Sequence, residues 1–232
     1  MKNLVIIPTY NEFENISQIV PAIFARETQV HILVVDDNSP DGTQAKVEEM
    51  QNSYPNLHLL KRSGKQGLGK AYLAGFDWAL KNGYDFVVEM DADFSHRPED
   101  LSSLLRAAST PNVDFVIGSR YVSGGRTENW SWLRKLISRG GSLYSRIILG
   151  FPINDWTGGF NGWKAQVLKS IGLETIQSNG YSFQIELKYK ASRLKFRSQE
   201  VPIVFADRRV GQSKMSLKIV LEAFYRVWLI RL

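Results

Sequence analysis

The stretch Phe86-Val87-Val88-Glu89-Met90-Asp91-Ala92-Asp93-Phe94-Ser95-His96 joins an apolar run of strand length to two carboxylates. Ligands of open α/β sheets bind outside the carboxyl ends of the strands, so Asp91 and Asp93 are expected at a binding edge. Two acids held close together repel each other unless a cation lies beside them, and carboxylate oxygens suit Mg²⁺ or Mn²⁺. The pattern therefore predicts a divalent metal that holds a phosphorylated substrate. The plain alternative is that both acids cap a helix starting near Pro98.

Four more apolar runs of strand length, at residues 4–7, 32–35, 57–60 and 115–118, alternate with stretches of helical periodicity. Strands that alternate with helices predict βαβ units and a largely parallel sheet. Right-handed crossovers would place the loops that follow these strands at one edge. We therefore expect an α/β fold with a Rossmann-like, mostly parallel sheet flanked by helices, in which the strand at 115–118 delivers Arg120 to the same edge.

The pattern changes after residue 120. Residues 121–131 predict a Gly/Ser/Asn-rich loop, and residues 158–162 predict a flexible turn. Helices are expected at 132–149, 183–194 and 215–232. A late strand is expected at 201–205, where Pro202 favours a strand start or a sheet edge. No repeat or linker interrupts the chain, so we expect one domain of 232 residues.

Composition excludes several kinds of chemistry. The hydrophobic share of 44% and the charged share of 22% are ordinary for a globular chain. There is no cysteine, which rules out disulfides, thiolate catalysis and Cys-based zinc sites and fits a cytoplasmic location. The three histidines form no obvious catalytic cluster; His31 and His58 are expected to be structural, and His96 is not expected to bind a ligand.

Charge is divided unevenly along the chain. Residues 1–100 hold 9 Lys/Arg and 15 Asp/Glu, a net charge of −6, whereas residues 101–232 hold 20 and 8, a net charge of +12. An acidic half suits a metal site, and a basic half suits an anionic partner such as nucleic acid, lipid phosphate or a membrane surface. A solvated basic face is the alternative. A nucleic-acid-binding module would explain the basic half but not the acidic loops, so no nucleic-acid partner is expected.

Membrane contact is expected to be peripheral. No stretch approaches eighteen consecutive apolar residues, and the first residues lack the apolar region and cleavage site of a signal peptide. The helices predicted at 132–149 and 215–232 mix apolar residues with Lys and Arg, as interfacial helices do. Core-packing helices with cationic rims would show the same pattern.

A glycine-rich loop, Gly64-Lys65-Gln66-Gly67-Leu68-Gly69-Lys70-Ala71, follows the third strand and nearly matches the phosphate-binding P-loop. Ala71 stands where that motif needs a Ser or Thr hydroxyl for Mg²⁺, which argues against a P-loop phosphotransferase. No Ser/His/Asp arrangement is visible, so a nucleophile that is already ionised is the simplest expectation. Cations near Gly or Ser residues could grip such an anion: Arg120, Arg134, Arg208 and Lys214.

Taken together, the motifs resemble the family 2 glycosyltransferases of GT-A fold, and within them the dolichol-phosphate (polyprenol-phosphate) mannose synthases. The matching segments cover nearly the whole chain in family order. They are residues 8–12 (PTYNE), 35–43 (VDDNSPDGT), 67–69 (GLG), 90–96 (MDADFSH), 118–121 (GSRY), 138–140 (SRG), 155–160 (DWTGGF), 207–208 (DR) and 211–214 (GQSK). Each segment is weak evidence alone, but the ordered set is specific.

The resemblance implies a division of labour among the residues. Residues 1–120 would form the nucleotide-sugar half and residues 121–232 the acceptor half. The guanosine of GDP-mannose would lie against Pro8, Tyr10, Glu12, Val35 and Asp37, while Asp91, Ala92 and Asp93 would meet ribose, diphosphate and metal. Asp93 is the expected metal ligand, with Ser95 where some relatives carry Gln as a further ligand. Arg120, Arg134 and Ser138 would cradle the acceptor phosphate, and Arg208 and Lys214 would close over the donor. The family often has Arg where this chain has Asn161, so no anion contact is assigned there.

The implied reaction is metal-dependent, inverting transfer of mannose from GDP-mannose to a polyprenyl or dolichyl monophosphate, with Asp91, Asp93 and Arg120 as the catalytic set. It would take place at the cytoplasmic face of a membrane, either through direct contact or through a membrane-anchoring partner protein. Two alternatives stay open at this point. One is a relative that uses another sugar nucleotide, such as UDP-glucose. The other is a non-catalytic nucleotide-binding adaptor, against which the intact acid pair argues.

Overall fold

The computed structural model describes residues 1–207 and 217–231, with side chains in the last helix described from Phe224 onward. The strands are β1 (Asn3–Thr9), β2 (His31–Asp36), β3 (Leu57–Lys61), β4 (Phe86–Glu89), β5 (Phe115–Ser119), β6 (Arg126–Thr127), β7 (Asn161–Lys164), β8 (Ser198–Pro202) and β9 (Val204–Phe205). The helices are α1 (Phe13–Phe24), α2 (Thr43–Gln51), α3 (Leu68–Lys81), α4 (Pro98–Ala108), α5 (Trp132–Leu149), α6 (Ala165–Ser170), α7 (Gly180–Arg193) and α8 (Leu217–Arg231), with a 3₁₀ turn at Leu173–Thr175.

Seven of these strands form one sheet in the order β3-β2-β1-β4-β7-β5-β8. Every neighbouring pair in it is parallel except the two that involve β7, which runs antiparallel to both β4 and β5. β6 and β9 pair separately as a short ribbon. The carboxyl ends of β1, β2, β4 and β5 therefore share one edge with the start of β7, and this edge carries the acidic loops.

Alternating side chains of the strands build a core on each face of the sheet. Leu4 and Ile6 of β1 pack with side chains of α3 and α7, whereas Val5 and Ile7 pack with α1 and α4 on the other face. Successive strand residues point to opposite faces, which is why a continuous apolar run is needed when both faces are covered. The predicted α/β fold with a mostly parallel sheet is confirmed.

The five predicted parallel strands and the helix at 132–149 are present, whereas the turn expected at 158–162 is right for residues 158–160 and wrong for the last two. Asn161 and Gly162 instead begin β7, which fills the space between β4 and β5. Only glycine fits at 162, because a Cβ there would lie 2.2 Å from Cζ of the Phe86 ring. The late strand is also divided: β8 ends at Pro202 on the sheet edge, and β9 leaves the sheet to pair with β6.

Across residues 1–207 and 217–231, the structure contains no helix that is both long and apolar enough to pass through a bilayer.

Two histidines meet at the amino ends of β2 and β3, a contact that the sequence did not indicate. His31 Nδ1 lies 3.0 Å from His58 Nε2, and the hydroxyl of Tyr84 lies 3.3 Å from the same nitrogen. Burial lowers the pKa of both rings, and the nearby ammonium of Lys2 lowers both further. One imidazole must accept where the other donates, so the pair is stable when at least one ring is neutral.

We expect this pair to make the fold sensitive to mild acid. The native rings have pKa values below the ordinary 6.5, so the unfolded chain binds more protons as the pH falls through that value, and the free energy of unfolding decreases. The double variant His31→Phe/His58→Phe should lose that part of the pH dependence. Urea denaturation at pH values on both sides of 6.5 measures the free energy of unfolding. If this free energy changed equally with pH in the native chain and in the double variant, the assignment would be contradicted.

Candidate active site

The two carboxylates after β4 lie in a tightly bonded loop at the carboxyl edge of the sheet. The backbone N–H of Asp91 donates to His96 Nδ1 (3.0 Å), and Asp91 Oδ1 accepts from the hydroxyl of Tyr72 (3.2 Å). Asp93 Oδ1 accepts from the backbone N–H of Ser95 (3.0 Å). α4 has Arg97 at its N-cap position, so neither acid caps that helix. The Asp91 carboxylate is instead bonded to Tyr72 of α3, and the Asp93 carboxylate to its own loop.

Backbone strain marks the same loop. Phe94, between Asp93 and Ser95, has a φ of 62°, in the left-handed region that a large side chain rarely adopts. Such conformations cost about 1–3 kcal/mol and persist where the surroundings enforce them, often at functional sites. His96 is buried and its ring stacks on Phe160 at 4.8 Å between centroids. Burial lowers the pKa of His96, so a neutral ring supports the loop.

A buried carboxyl, that of Glu89, lies at the end of β4 just before the acid loop. Glu89, the last residue of β4, accepts from the indole N–H of Trp163 (2.6 Å) and from the side-chain amide of Gln184 (2.5 Å). Burial raises the pKa of Glu89 to about 7, while those two hydrogen bonds and the Lys188 ammonium oppose the rise. Gln184 in turn accepts from Asn161 Nδ2 (2.8 Å). Asn161 is fully buried and supports Glu89 through Gln184.

The residues expected to hold the nucleoside lie at the ends of β1 and β2. Pro8 pairs with Val35 across these strands. Tyr10 is partly exposed, and the Lys65 ammonium lies 4.1 Å from its ring centroid. Asp37 is buried, forms an ion pair with Arg62 and accepts from the backbone N–H of Gln66 (3.3 Å), so it also anchors the glycine-rich loop.

Asp36 and Glu12 differ in what they do locally. Asp36 is fully buried and accepts from Thr9 Oγ1 (2.8 Å), from Ser39 Oγ (2.6 Å) and from Gln44 Nε2 (2.7 Å), so it is a structural residue. Glu12 Oε2 accepts from Asn15 Nδ2 (2.7 Å) at the start of α1. The structure therefore separates Asp36, the last residue of β2, which organises the loop, from Asp37, which borders the predicted nucleoside pocket.

A buried ion pair dominates the other side of the edge. Arg120, which directly follows β5, donates to Asp155 from Nε (2.8 Å), from Nη2 (2.7 Å) and from its backbone N–H (2.9 Å). Nη2 also donates to Thr157 Oγ1 (2.9 Å). Burial alone would raise the pKa of Asp155, but the guanidinium outweighs it and the pKa is lowered. The Nη1 amino group of Arg120 is left unused by these partners.

Aromatic rings gather the cations predicted to cradle an acceptor phosphate. The guanidinium carbon of Arg134 lies 4.0 Å from the Trp130 ring centroid, and that of Arg120 lies 5.5 Å from the same centroid. Arg134 also pairs with Asp207 (2.8 Å). Ser138 Oγ accepts from the hydroxyl of Tyr121 (2.7 Å). The structure thus brings Arg120 and Arg134 onto one indole, which the sequence could not show.

Phe205 joins the acid loop to this cluster. Its ring meets His96 edge-on at 5.4 Å between centroids, and the guanidinium carbon of Arg120 lies 5.5 Å from its centroid. The carboxylates after β4 and the cations after β5 are therefore neighbours across one aromatic side chain. Arg208 and Lys214, expected to close over the donor, lie outside the described residues.

Sequence reasoning missed the residues that hold these groups in place. The sequence shows Asp155 only as part of the motif at 155–160 and indicates no partner for it. It predicts a helix around Lys188 but no role for this residue, whose ammonium is fully buried in the structure. No local signal singles out Lys188, because the same helix also carries the charged residues Glu186, Lys190 and Arg193.

We expect Asp155 to be essential for stability. The variant Asp155→Asn leaves the Arg120 guanidinium buried without a counter-charge, which typically costs about 3–5 kcal/mol of unfolding free energy. Urea denaturation at neutral pH measures the loss. Glu128→Gln is the control, because it removes an exposed ion pair with Arg126 (3.0 Å) and should cost less than about 1 kcal/mol. Equal costs for the two variants would contradict the role given to Asp155.

Comparisons with known proteins agree with this geometry. The glycosyl transferase family 2 profile matches residues 4–172. A polyprenol monophosphomannose synthase from Mycolicibacterium smegmatis is 49% identical over 99% of this chain and 88% of its own length. An undecaprenyl-phosphate mannosyltransferase from Micrococcus luteus is 48% identical over 98% of this chain and 93% of its own length.

Solved structures show the same fold at low identity. A glucosyl-3-phosphoglycerate synthase from Mycobacterium tuberculosis, in complex with Mn²⁺, UDP and glucosyl-3-phosphoglycerate, superposes with a TM-score of 0.69 at 17% identity, covering 99% of this chain and 78% of the other. A mannosyltransferase from Pyrobaculum calidifontis, in complex with GDP-Man and Mn²⁺, gives 0.61 at 17% identity, covering 99% and 71%. The expected GT-A fold is confirmed. The matching profile and the relatives from Mycolicibacterium smegmatis and Micrococcus luteus show that this chain belongs to glycosyl transferase family 2.

Proposed function

We propose that this glycosyltransferase moves mannose from GDP-mannose to a polyprenyl (dolichyl-type) monophosphate, giving polyprenyl phosphate β-mannose as a lipid-linked sugar donor for glycosylation. One observation carries the proposal: two relatives whose names specify mannose transfer or mannosyl-lipid synthesis match nearly the whole chain at almost half identity. The geometry supports it, because an acidic edge suited to a metal-bound diphosphate adjoins a cluster of cations suited to a second phosphate.

The donor occupies the first half of the chain, residues 1–120, in this proposal. The nucleoside lies against the ends of β1 and β2, where Pro8, Tyr10, Glu12, Val35 and Asp37 are found. Asp91 and Ala92 adjoin the ribose and the diphosphate. The mannosyltransferase from Pyrobaculum calidifontis, in complex with GDP-Man, has the same fold, which supports this half of the sheet as a platform for a guanine nucleotide.

The acid loop suits a divalent cation. Asp93 would bind the metal through its carboxylate, and the hydroxyl of Ser95 is a candidate further ligand. The described residues hold no cluster of three or more His, Cys, Asp or Glu side chains suited to a metal. Mg²⁺ and Mn²⁺ are commonly held by one or two carboxylates together with substrate phosphates, so this sparse donor set fits. When bound, the ion would neutralise charge on the diphosphate as it departs.

The chemistry needs no protein base. A lipid monophosphate has a second pKa of about 6, so one of its oxygens is already anionic at neutral pH. That oxygen forms a bond to the anomeric carbon while the bond from this carbon to the diphosphate oxygen breaks, and GDP leaves with the electron pair. Attack from the opposite side inverts the α-linked donor to a β-linked product. No proton or oxidant is required.

The acceptor phosphate lies in the second half, residues 121–232, together with Arg120. Arg120 and Arg134 both lie over the Trp130 ring, and Ser138 lies on the same helix as Arg134. Guanidinium groups match phosphate oxygens in geometry and charge. Asp155 holds the Arg120 guanidinium through Nε and Nη2 but not through Nη1. Nη1 can therefore orient the acceptor phosphate between the acid loop and the cations. Arg208 and Lys214 are proposed to close over the donor diphosphate.

The decisive variant is Asp93→Asn. Loss of the carboxylate should lower mannose transfer about a hundredfold to a thousandfold, because charge on the departing diphosphate is no longer stabilised. Transfer of radiolabelled mannose from GDP-mannose to a short polyprenyl phosphate is measured with Mg²⁺, with Mn²⁺ and after chelation. Asp77→Asn, which changes an exposed acid of α3, is the matched control and should keep full activity.

The same assay separates the competing functions. Lipid-phase label that requires both the metal and Asp93 supports the mannosyltransferase. Label from UDP-glucose but not from GDP-mannose would keep the reaction type and overturn the donor. If no sugar nucleotide gave label in the lipid phase, even with membranes supplied, a non-catalytic adaptor would be favoured.

We also propose that the chain works at the cytoplasmic face of a membrane, held there peripherally. On α5, four exposed side chains share one face because their spacing follows the helical repeat: Trp132 (75% exposed), Leu136 (62%), Leu143 (57%) and Ile147 (69%). Exposed cations border this face at Lys135, Arg139 and Arg146. Interfacial helices combine these two features, and anionic headgroups attract such cations.

α8 extends this surface. The Tyr144 hydroxyl of α5 donates to the Phe224 carbonyl of α8 (3.2 Å), and the rings of these residues lie 4.4 Å apart. Tyr225 and Trp228 of α8 are exposed beside this contact. A membrane-anchoring partner protein is an alternative occupant of the same surface.

Binding to vesicles tests the membrane assignment. The double variant Trp132→Ser/Ile147→Ser should bind vesicles that contain anionic phospholipid at least about tenfold more weakly, because each large apolar side chain contributes roughly 1.5–3 kcal/mol when buried. Co-flotation measures it. Leu194→Ser, which changes an exposed residue just before β8, is the control. Equal binding by all three proteins would leave a protein partner as the better explanation.

A further inference from the structure

Lys188 is a fully buried ammonium in the middle of α7. It donates to the backbone carbonyls of Asp155 (2.9 Å), Trp156 (3.2 Å) and Gly158 (2.8 Å). An ammonium has three N–H donors, and all three are satisfied by this one turn of the chain. A buried cation is costly unless it is fully hydrogen-bonded, so this arrangement is specific to the turn.

The turn at 155–158 is the one that holds Arg120. Asp155 accepts three hydrogen bonds from Arg120, and Thr157 Oγ1 accepts a fourth. Glu200 of β8 fixes the turn from another side, since its carboxylate accepts from the backbone N–H of Asp155 (3.0 Å). The peptide groups on both sides of Asp155 are therefore bonded to charged side chains, Glu200 through the N–H and the buried Lys188 through the carbonyl.

We propose that Lys188 is a positioning residue for the transfer reaction: it fixes the turn at 155–158 so that Asp155 and Thr157 hold the Arg120 guanidinium toward the acceptor phosphate. Lys188 touches neither substrate in this arrangement and acts through Asp155 and Thr157. The inference rests on the proposed function, in which Arg120 binds that phosphate.

The hydrogen bonds from Lys188 to the turn depend on pH, because burial and nearby charges set the pKa of the ammonium. Four charged groups face it from other elements: Asp155 from the turn, Glu89 from β4, Arg120 from the end of β5 and Glu200 from β8. Burial lowers the pKa of Lys188 to about 8, although Asp155, Glu89 and Glu200 oppose the shift. A neutral amine has two N–H groups and a lone pair, so one of the three carbonyls then loses its donor.

Stability and activity should respond to this deprotonation in opposite directions. The buried Lys188 loses its proton at about pH 8, whereas an unfolded lysine keeps it to an ordinary pKa of 10.5. The unfolded chain thus binds more protons in this range, and the contribution of Lys188 to the free energy of unfolding increases with pH. A fall in activity above pH 8 therefore cannot come from unfolding driven by this residue.

The first experiment is a pH profile of kcat/KM for mannose transfer at saturating metal. We expect the native chain to lose activity above about pH 8. Lys188→Arg should move that loss to higher pH, because a guanidinium does not titrate in this range. Lys190→Arg, a partly exposed change on the same helix, should keep the native profile. Identical alkaline profiles for native and Lys188→Arg would overturn the proposal.

The second experiment separates the two substrates. Lys188→Met should raise KM for polyprenyl phosphate and lower kcat, with a loss of about a hundredfold in kcat/KM, as expected when a catalytic group is displaced by about 1 Å. KM for GDP-mannose should stay close to the native value. Lys190→Met is the control. If Lys188 had a merely structural role, the variant would raise KM for both substrates alike, and that result would also overturn the proposal.

Hydrogen exchange keeps the inference testable apart from turnover. The backbone N–H groups of Arg120 and Gly158 both donate to Asp155, at 2.9 Å each. They should exchange faster in Lys188→Met than in Lys190→Met, and faster in the native chain above pH 8 after correction for intrinsic rates. Unchanged protection would refute the positioning role. If the native chain transferred no mannose, the proposed function would fail while this measurement still decided what Lys188 does to the turn.

Discussion

The Arg120 guanidinium is held almost without solvent at the end of β5, and a charge in that position is tolerable only with its counter-charge in full contact. Asp155 supplies it, and much of the second half of the chain is arranged to keep Asp155 there. β8 contributes Glu200, α7 contributes Lys188, and the turn before β7 has a glycine at 158, where a Cβ would lie 3.0 Å from Oδ1 of Asp155. Stability and site geometry thus depend on the same charges, so this region tolerates little change.

The antiparallel strand β7 explains how two distant parts of the chain reach one edge. It lies between β4 and β5 and begins where they end, so the turn that precedes it sits between the acid loop and the cations. Without β7, β5 would lie directly beside β4 in this order of strands. The single reversed strand therefore separates the end of β4 from the end of β5 by two inter-strand spacings of about 4.8 Å each.

The parallel strands and α5 could be predicted from sequence because long apolar runs and helical periodicity are local signals. β7 could not: Asn161, Gly162 and Trp163 show no alternation, since both faces of the strand are buried and a glycine is required against Phe86. The acid pair was predictable because it follows a strand directly. The Arg120 to Asp155 pair spans 35 residues, and the stacking of two guanidinium groups on Trp130 depends on tertiary contacts, so neither had a local signal. The family resemblance supplied the identities of these cations but not what holds them.

α5 carries two kinds of residue within a short distance. Ser138 and Arg134 face the cation cluster, while Trp132 at its start is three-quarters exposed. Trp132 and Ser138 are separated by about 9 Å of helix rise. In the proposed arrangement a lipid headgroup would need to travel only that far, while its tail stays among other lipids. The enzyme would then meet its acceptor by diffusion in two dimensions, and the density of acceptor in the surface, rather than its concentration in bulk water, would set how often the site is filled.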